Sequence, residues 1–198
     1  MPKREGAFVP MEGLPRAARG VQDHEFQTYW YQHVGQFISG KTVLDAGAGM
    51  GYGRRIMNAA GAMNVECYDL VSLAPWVKVA RIEDYPPYHA DWVVAMDVIE
   101  HVEDDENFLW HMVRVAREAV FFSTPNWNVF HALNAHHRRE YTPAELRALI
   151  AKYRHLYESV GFWTGDEHSV IAPAPPEGPP DDSMACNFGV LLRALTKR

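Results

Sequence analysis

Five consecutive residues, Asp97-Val98-Ile99-Glu100-His101, bring two carboxylates and an imidazole close together in the chain. In a helical turn Asp97, Glu100 and His101 fall at i, i+3 and i+4 and share one face. Converging carboxylates and an imidazole suit a divalent ion. Such an ion lowers the pKa of a bound hydroxyl and orients it, while an unmetallated imidazole acts as a general base. A second source of imidazole lies downstream in Asn134-Ala135-His136-His137-Arg138-Arg139-Glu140-Tyr141-Thr142. The third chemical feature is Val43-Leu44-Asp45-Ala46-Gly47-Ala48-Gly49-Met50-Gly51-Tyr52-Gly53, an apolar run that ends on an acid and enters alternating glycines. Glycine admits positive φ and carries no Cβ, so a ligand can approach the backbone there. A strand, such a turn and a helix place a nucleotide-like ligand at the carboxyl edge of a parallel sheet.

These residues need elements to hold them, and the hydrophobic pattern supplies an alternating series. Residues 23–38, with Phe26, Tyr29, Trp30, Val34, Phe37 and Ile38, read as an amphipathic helix. Strands follow at 42–44, 64–68 (ending at Asp69), weakly at 76–79, at 92–96 (stopping at Asp97) and at 120–123. Helices are expected at 52–60, closed by Gly61, and at 107–117, with Asp104 and Asp105 placed to cap the latter. Thr142-Pro143-Ala144-Glu145 starts another, with Thr as N-cap, Pro at the first helical position and Glu completing a capping box. The last strands fall at 155–162 and 185–192, joined by a proline-rich stretch, 172–182, in which no regular structure is expected. The pattern predicts an α/β, Rossmann-like fold: a mostly parallel twisted sheet with helices on both faces and an antiparallel C-terminal edge strand. In domain terms, residues 1–20 read as a flexible tail and 21–198 as one domain. Within it, 21–40 form the N-terminal helix, 41–126 the cofactor-binding core, and 127–198 the acceptor side and final strands.

Composition narrows the function. With 198 residues, 47% of them hydrophobic, the chain can bury a sizeable core. A net charge of −6 argues against an extended grip on long nucleic acid, though not against a short RNA end. No apolar run is long enough to span a membrane, and the N-terminus lacks a signal-peptide core, so a cytoplasmic protein is expected. Cys67 and Cys186 make no CxxC pair and suggest no disulfide framework.

Asp45-x-Gly47-x-Gly49-x-Gly51 resembles the first motif of class I S-adenosylmethionine-dependent methyltransferases, and Asp69 stands where that family places the acid that holds the ribose hydroxyls. The resemblance spans residues 41–126 and runs more loosely to the C-terminus. It implies S-adenosylmethionine as cofactor, with Gly47, Gly49 and Gly51 in the loop beside its methionine part and Asp45 organising that loop. It also implies Asp69 on the ribose, Glu83 beside the adenine, and Asp97 at the pocket. The spacing fits GxGxG better than the GxGxxG of nicotinamide and flavin enzymes, and no hydride-transfer residues accompany it.

Asp97-Val98-Ile99-Glu100-His101 and His137-Arg138-Arg139-Glu140-Tyr141-Thr142 together resemble metal-dependent O-methyltransferases of two kinds. One methylates the 3′-terminal 2′-hydroxyl of small RNAs; the other methylates catechol-like ubiquinone precursors. Both use an acid-x-x-Glu-His motif, in which Asp97 stands where Glu is usual. The resemblance implies Asp97, Glu100, His101 and His137 as ligands of a divalent metal (Mg, Mn, Fe or Zn), and Glu100, His101 and His137 as the catalytic group. The acceptor is then a small hydroxylated molecule or a short RNA end. Two further readings stay open: a metal-free pocket in which His101 or His137 is the base, and a non-catalytic S-adenosylmethionine-binding module. Oligomeric state is not legible. Among lesser features, Arg138 and Arg139 could meet an anionic substrate group, Trp127, Phe130 and Tyr141 a flat one, and His24 and Phe26 could close over the cofactor.

Overall fold

In a computed structural model, which describes residues 24–131, 134 and 136–195, the apolar runs become an eight-stranded sheet ordered β3-β2-β1-β4-β5-β8-β6-β7. The strands are β1 (Thr42–Ala46), β2 (Asn64–Asp69), β3 (Val77–Val79), β4 (Ala90–Met96), β5 (Ala116–Pro125), β6 (Tyr157–Gly165), β7 (Ile171–Pro173) and β8 (Asn187–Ala194). The helices are α1 (His24–Gly35), α2 (Tyr52–Ala59), α3 (Asp105–Val115), α4 (Trp127–Phe130) and α5 (Pro143–Lys152). The tail assigned to residues 1–20 and the side chains of His24 and Phe26 lie outside the described residues.

The central strands are apolar at successive positions because both faces of the sheet are covered. Alternation then sorts their side chains between two cores. Leu44, Ala46, Val93, Ala95, Val120 and Phe122 pack with Leu109, Met112, Leu146 and Leu149 of α3 and α5. Val43, Trp92, Val94, Met96, Ala119 and Phe121 pack with Trp30, Tyr31, Val34 and Met57 of α1 and α2. The parallel register of β1 against β2 and β4 sets Asp45 opposite Cys67 and Val94. Strand ends from neighbouring strands therefore meet at one edge, and Asp45, Asp69 and Asp97 come with them.

The capped helices form as expected. Asp104 Oδ1 accepts from the Asn107 amide and starts α3. Thr142 and Glu145 complete their capping box, with Pro143 at the first position of α5. Three differences from the sequence reading have physical causes. Residues 116 and 117, expected in the helix, open β5, which runs on through Pro125 because β8 pairs with it as far as Asn187. The proline-rich stretch is not wholly irregular: Ala172 and Pro173 belong to β7, an edge strand where proline's missing N–H costs no ladder bond. The antiparallel end of the sheet is also more than one edge strand, since β8 is inserted between β5 and β6 and runs against both. Among the described residues no helix is long and apolar enough to cross a membrane, and Cys67 and Cys186 are free and buried.

Candidate active site

The glycine loop leaves β1 through left-handed backbone at Gly47, Gly49 and Gly51, with φ of 72°, 55° and 74°. At Gly47 the demand is double: a Cβ there would also sit 2.7 Å from both methyl groups of Val98. The Gly47 and Ala48 amides both donate to the Tyr68 carbonyl (3.0 Å each), which clips the loop to the end of β2. Asp69 holds it from the other side, accepting from the Gly49 amide at 2.8 Å and from the Leu70 amide at 2.7 Å.

Asp45 lies beneath this loop, fully buried. The Tyr31 hydroxyl on α1 reaches both its carboxylate oxygens, at 2.9 and 3.1 Å. Burial pushes the Asp45 carboxyl up to about 7, helped by the nearby Asp69 charge and opposed by the hydrogen bonds from Tyr31 and Cys67. Nothing in the spacing of the sequence links Tyr31 to Asp45, and sequence reasoning missed it.

Beside the loop opens a cavity of about 740 Å³. Of the residues expected at the cofactor, Gly47, Asp69, Glu83 and Asp97 line it, as do His101 and Arg138. Asp45, Gly49 and Gly51 are not among the residues of its wall. Glu83 is held at the cavity by Asn107 Nδ2, which donates to its Oε1 (3.2 Å), and by Arg81 (3.7 Å).

The chain leaves β4 at Asp97 in a left-handed conformation, φ 52°. The Asp97 amide donates to the Ser123 carbonyl and hydroxyl oxygens, and Asp97 Oδ1 accepts from Ser123 Oγ (2.6 Å) and Asn187 Nδ2 (3.1 Å). A single 3₁₀ turn, Ile99–His101, follows, and not the helical turn in which Asp97, Glu100 and His101 would share one face. The four-residue ligand set read from the sequence consequently divides. Glu100, His101 and His137 each present a ligand atom within 4.8 Å of the other two. Asp97, turned toward β5 and β8, stands outside that trio.

Within the trio each side chain is oriented by a neighbour. His101 Nδ1 lies 3.2 Å from the His136 carbonyl, which can only accept, so the ring carries its proton there and turns Nε2 into a lone-pair nitrogen. His137 Nδ1 is 2.6 Å from Glu140 Oε1, and the Glu140 side chain is buried. In this carboxylate–imidazole pair Nδ1 is engaged, so Nε2 is the nitrogen that could serve as a ligand. Glu100 is fully buried; Thr124 Oγ1 donates to its Oε2 at 3.1 Å, while its Oε1 is buried without a hydrogen-bond partner among the described residues. Burial, with the Asp97 charge adding to it, raises the Glu100 carboxyl well above the ordinary glutamate range. The 137–140 loop is anchored to the same turn, since the Arg138 and Arg139 amides donate to the Glu100 carbonyl at 2.7 and 3.1 Å.

One carboxylate and two imidazoles whose ligand atoms lie within 4.8 Å of one another form a donor set that fits a divalent ion. Glu140 and Thr124 were given no such roles from the sequence, although Glu140 sits three residues after His137, the spacing that signals a partner. The two arginines considered for substrate anions separate. Arg139 is engaged by Asp105 (2.9 Å) and lies over the Tyr141 ring, whereas Arg138 is exposed at the cavity. Tyr141 is fully buried and donates to Asp105, so it belongs to the core and not to a substrate platform.

No protein-family model matches the chain. Its curated relatives include a protein of Mycobacterium tuberculosis, 29% identical over 157 residues, an alignment covering 67% of this chain and 57% of the relative. Another, from Mycolicibacterium smegmatis, is 30% identical over 170 residues, covering 73% of this chain and 63% of the relative. Both are named as probable S-adenosylmethionine-dependent methyltransferases. The chain thus spans about three-fifths of the length of these relatives. Among solved structures, a Haloferax volcanii methyltransferase in complex with the Trm112 methyltransferase activator superposes with a TM-score of 0.64 at 17% identity, over 92% of this chain and 95% of that one. The small RNA methyltransferase HEN1 gives a TM-score of 0.64 at 17% identity, over all of this chain and 27% of that one. In sequence the chain is a relative of S-adenosylmethionine-dependent methyltransferases, and its fold is their class I fold.

Proposed function

We propose that the protein transfers the methyl group of S-adenosylmethionine to a hydroxyl of a small acceptor, with a divalent ion held by Glu100, His101 and His137. The observation that carries this reading is the cluster itself. Glu100, with a buried carboxylate oxygen that has no partner among the described residues, and two histidines oriented through Nδ1 cluster within 4.8 Å, and one of them, His101, lines the cavity that Gly47 and Asp69 also line.

In this reading Asp69 and Glu83 hold the ribose and adenine. The acidic wall made by Asp69, Glu83, Asp97, Glu103 and Asp104 favours a donor that carries a sulfonium charge. The acceptor hydroxyl gives up its proton to solvent, its oxygen forms a bond to the methyl carbon as the carbon–sulfur bond breaks, the electron pair stays on sulfur, and S-adenosylhomocysteine leaves. A bound ion supplies hydroxyl acidification and orientation. Asp97 is assigned to the turn and not to the ion, because Ser123 and Asn187 hold its Oδ1. Glu140 fixes the His137 ring, and Thr124 fixes Glu100.

A second acceptor, the 3′ end of a short RNA, is favoured by Arg138 at the cavity and by the likeness to HEN1. The Haloferax methyltransferase is complexed with an activator protein, which makes a protein partner a further reading to test. Transfer of labelled methyl from S-adenosylmethionine to a panel of catechols and short RNA 3′ ends, with and without chelator, tests the proposal. Metal-dependent transfer that is lost in Glu100→Gln supports it. Full transfer in excess chelator removes the ion and leaves His101 Nε2 as the base.

A further inference from the structure

We propose that Tyr31 is a positioning residue for the cofactor: by donating its hydroxyl to the buried Asp45 carboxylate it holds the glycine loop in its binding shape, so that α1 must be docked for the loop to take S-adenosylmethionine. The proposal rests on the reading of the cavity as a cofactor site.

Three observations carry it. The Tyr31 hydroxyl bridges both Asp45 oxygens across a separation of 14 residues, and both side chains are buried. The Tyr31 ring is seated on the first turn of α2, where a Cβ on Gly53 would lie 2.2 Å from its Cε1; glycine there admits the ring. Asp45 is the last polar residue of β1 before the loop, and its register partner Cys67 places its thiol 3.9 Å from Oδ2. One phenol therefore ties α1, the end of β1 and the start of α2 into a unit around the loop. A change in the docking of α1 is transmitted to Gly47 and Gly49 through Asp45.

Among the described residues, ionisable and charged groups act on this pair from several elements. Cys67 and Asp69 of β2 face Asp45, Asp97 at the end of β4 acts on Tyr31, Arg54 of α2 acts on Cys67, and Tyr68 senses Asp45. Of the groups on Asp45, Tyr31 is the strongest that favours its ionised form.

Titration of wild type and Tyr31→Phe with S-adenosylhomocysteine by calorimetry, from pH 6 to 9, tests the proposal. A lost hydrogen bond to a charged group predicts binding weaker by about tenfold near neutral pH. The affinity should stay below that of wild type across the range, and its pH dependence should shift upward, because removing the donor moves the Asp45 midpoint upward. Loss of ring packing alone would leave that midpoint in place. Wild-type affinity and an unchanged pH profile in a folded Tyr31→Phe overturn the proposal. If wild type binds no S-adenosylhomocysteine at any pH, the cofactor reading fails and takes the proposal with it. Should Tyr31→Phe not fold, 3-fluorotyrosine placed at position 31 keeps the hydroxyl and reports by ¹⁹F resonance. A shift on adding S-adenosylhomocysteine supports the coupling, and an unmoved resonance in a binding-competent protein overturns it.

Discussion

Two glycines of the loop after β1, two residues apart, should respond very differently to the same methyl group. Gly49 has φ 55°, and a Cβ built there has no neighbouring atom within 4 Å. Gly49→Ala therefore meets only the left-handed backbone, which costs an L-residue about 1–2 kcal/mol. Gly47 has φ 72° and in addition would place its Cβ 2.7 Å from both Val98 methyls. Overpacking of this kind adds about 1–3 kcal/mol, so Gly47→Ala is expected to cost about 2–5 kcal/mol. The two effects are separable, because Val98→Ala removes the methyls but leaves the backbone strain. The double variant Gly47→Ala/Val98→Ala should recover to the level of Gly49→Ala. Val98 also leads into the 3₁₀ turn that carries Glu100 and His101, so its displacement should weaken divalent-metal affinity in Gly47→Ala and not in Gly49→Ala. Thermal unfolding and calorimetry with S-adenosylhomocysteine and Mn²⁺ read both effects. Equal losses in the two single variants, or no recovery in the double, would refute the reasoning.

Further expectations follow from other residues. Asp45 rises from an ordinary aspartate value of 3.8 to about 7 on folding. Its stability contribution is present below the unfolded value and is lost as pH rises through the folded one, by about 4 kcal/mol at most for a shift of this size. Asp45→Asn should thus unfold at a higher temperature than wild type at pH 8, with the gap closing toward pH 4. His33 behaves with the opposite sign: burial lowers its pKa, and its Nε2 has no hydrogen-bond partner among Trp30, Phe37, Phe121 and Trp163. Stability should fall as pH drops below about 6.5, and His33→Phe should abolish that part of the loss; an unaltered acid limb in thermal melts would count against it. Glu140→Gln should weaken metal binding about 10–100-fold while S-adenosylhomocysteine affinity holds. Thr142→Ala, which removes the α5 cap, should cost about 1 kcal/mol and lower the melting temperature by about 2–4 °C.

The elements that carry local signals were readable in advance. The β1–loop–α2 unit announces itself by an apolar run, an acid and left-handed positions filled with glycine. The α5 boundary is written in Thr142, Pro143 and Glu145, and residues 97–101 do follow a strand at the sheet edge. What escaped depends on partners remote in sequence. Asp97 departs from the Glu100–His101–His137 trio because Ser123, 26 residues on, and Asn187, 90 residues on, bind its carboxylate. The Tyr31–Asp45 bond has no period that could reveal it, and the insertion of β8 between β5 and β6 is decided by non-local pairing.

The central claim is that the cavity beside Gly47 and Asp69 takes S-adenosylmethionine, and calorimetry with S-adenosylmethionine and NAD side by side tests it most directly. Saturable binding of one S-adenosylmethionine per chain, abolished in Gly47→Ala and accompanied by no heat from NAD, is the predicted result. Binding of NAD without binding of S-adenosylmethionine would contradict it.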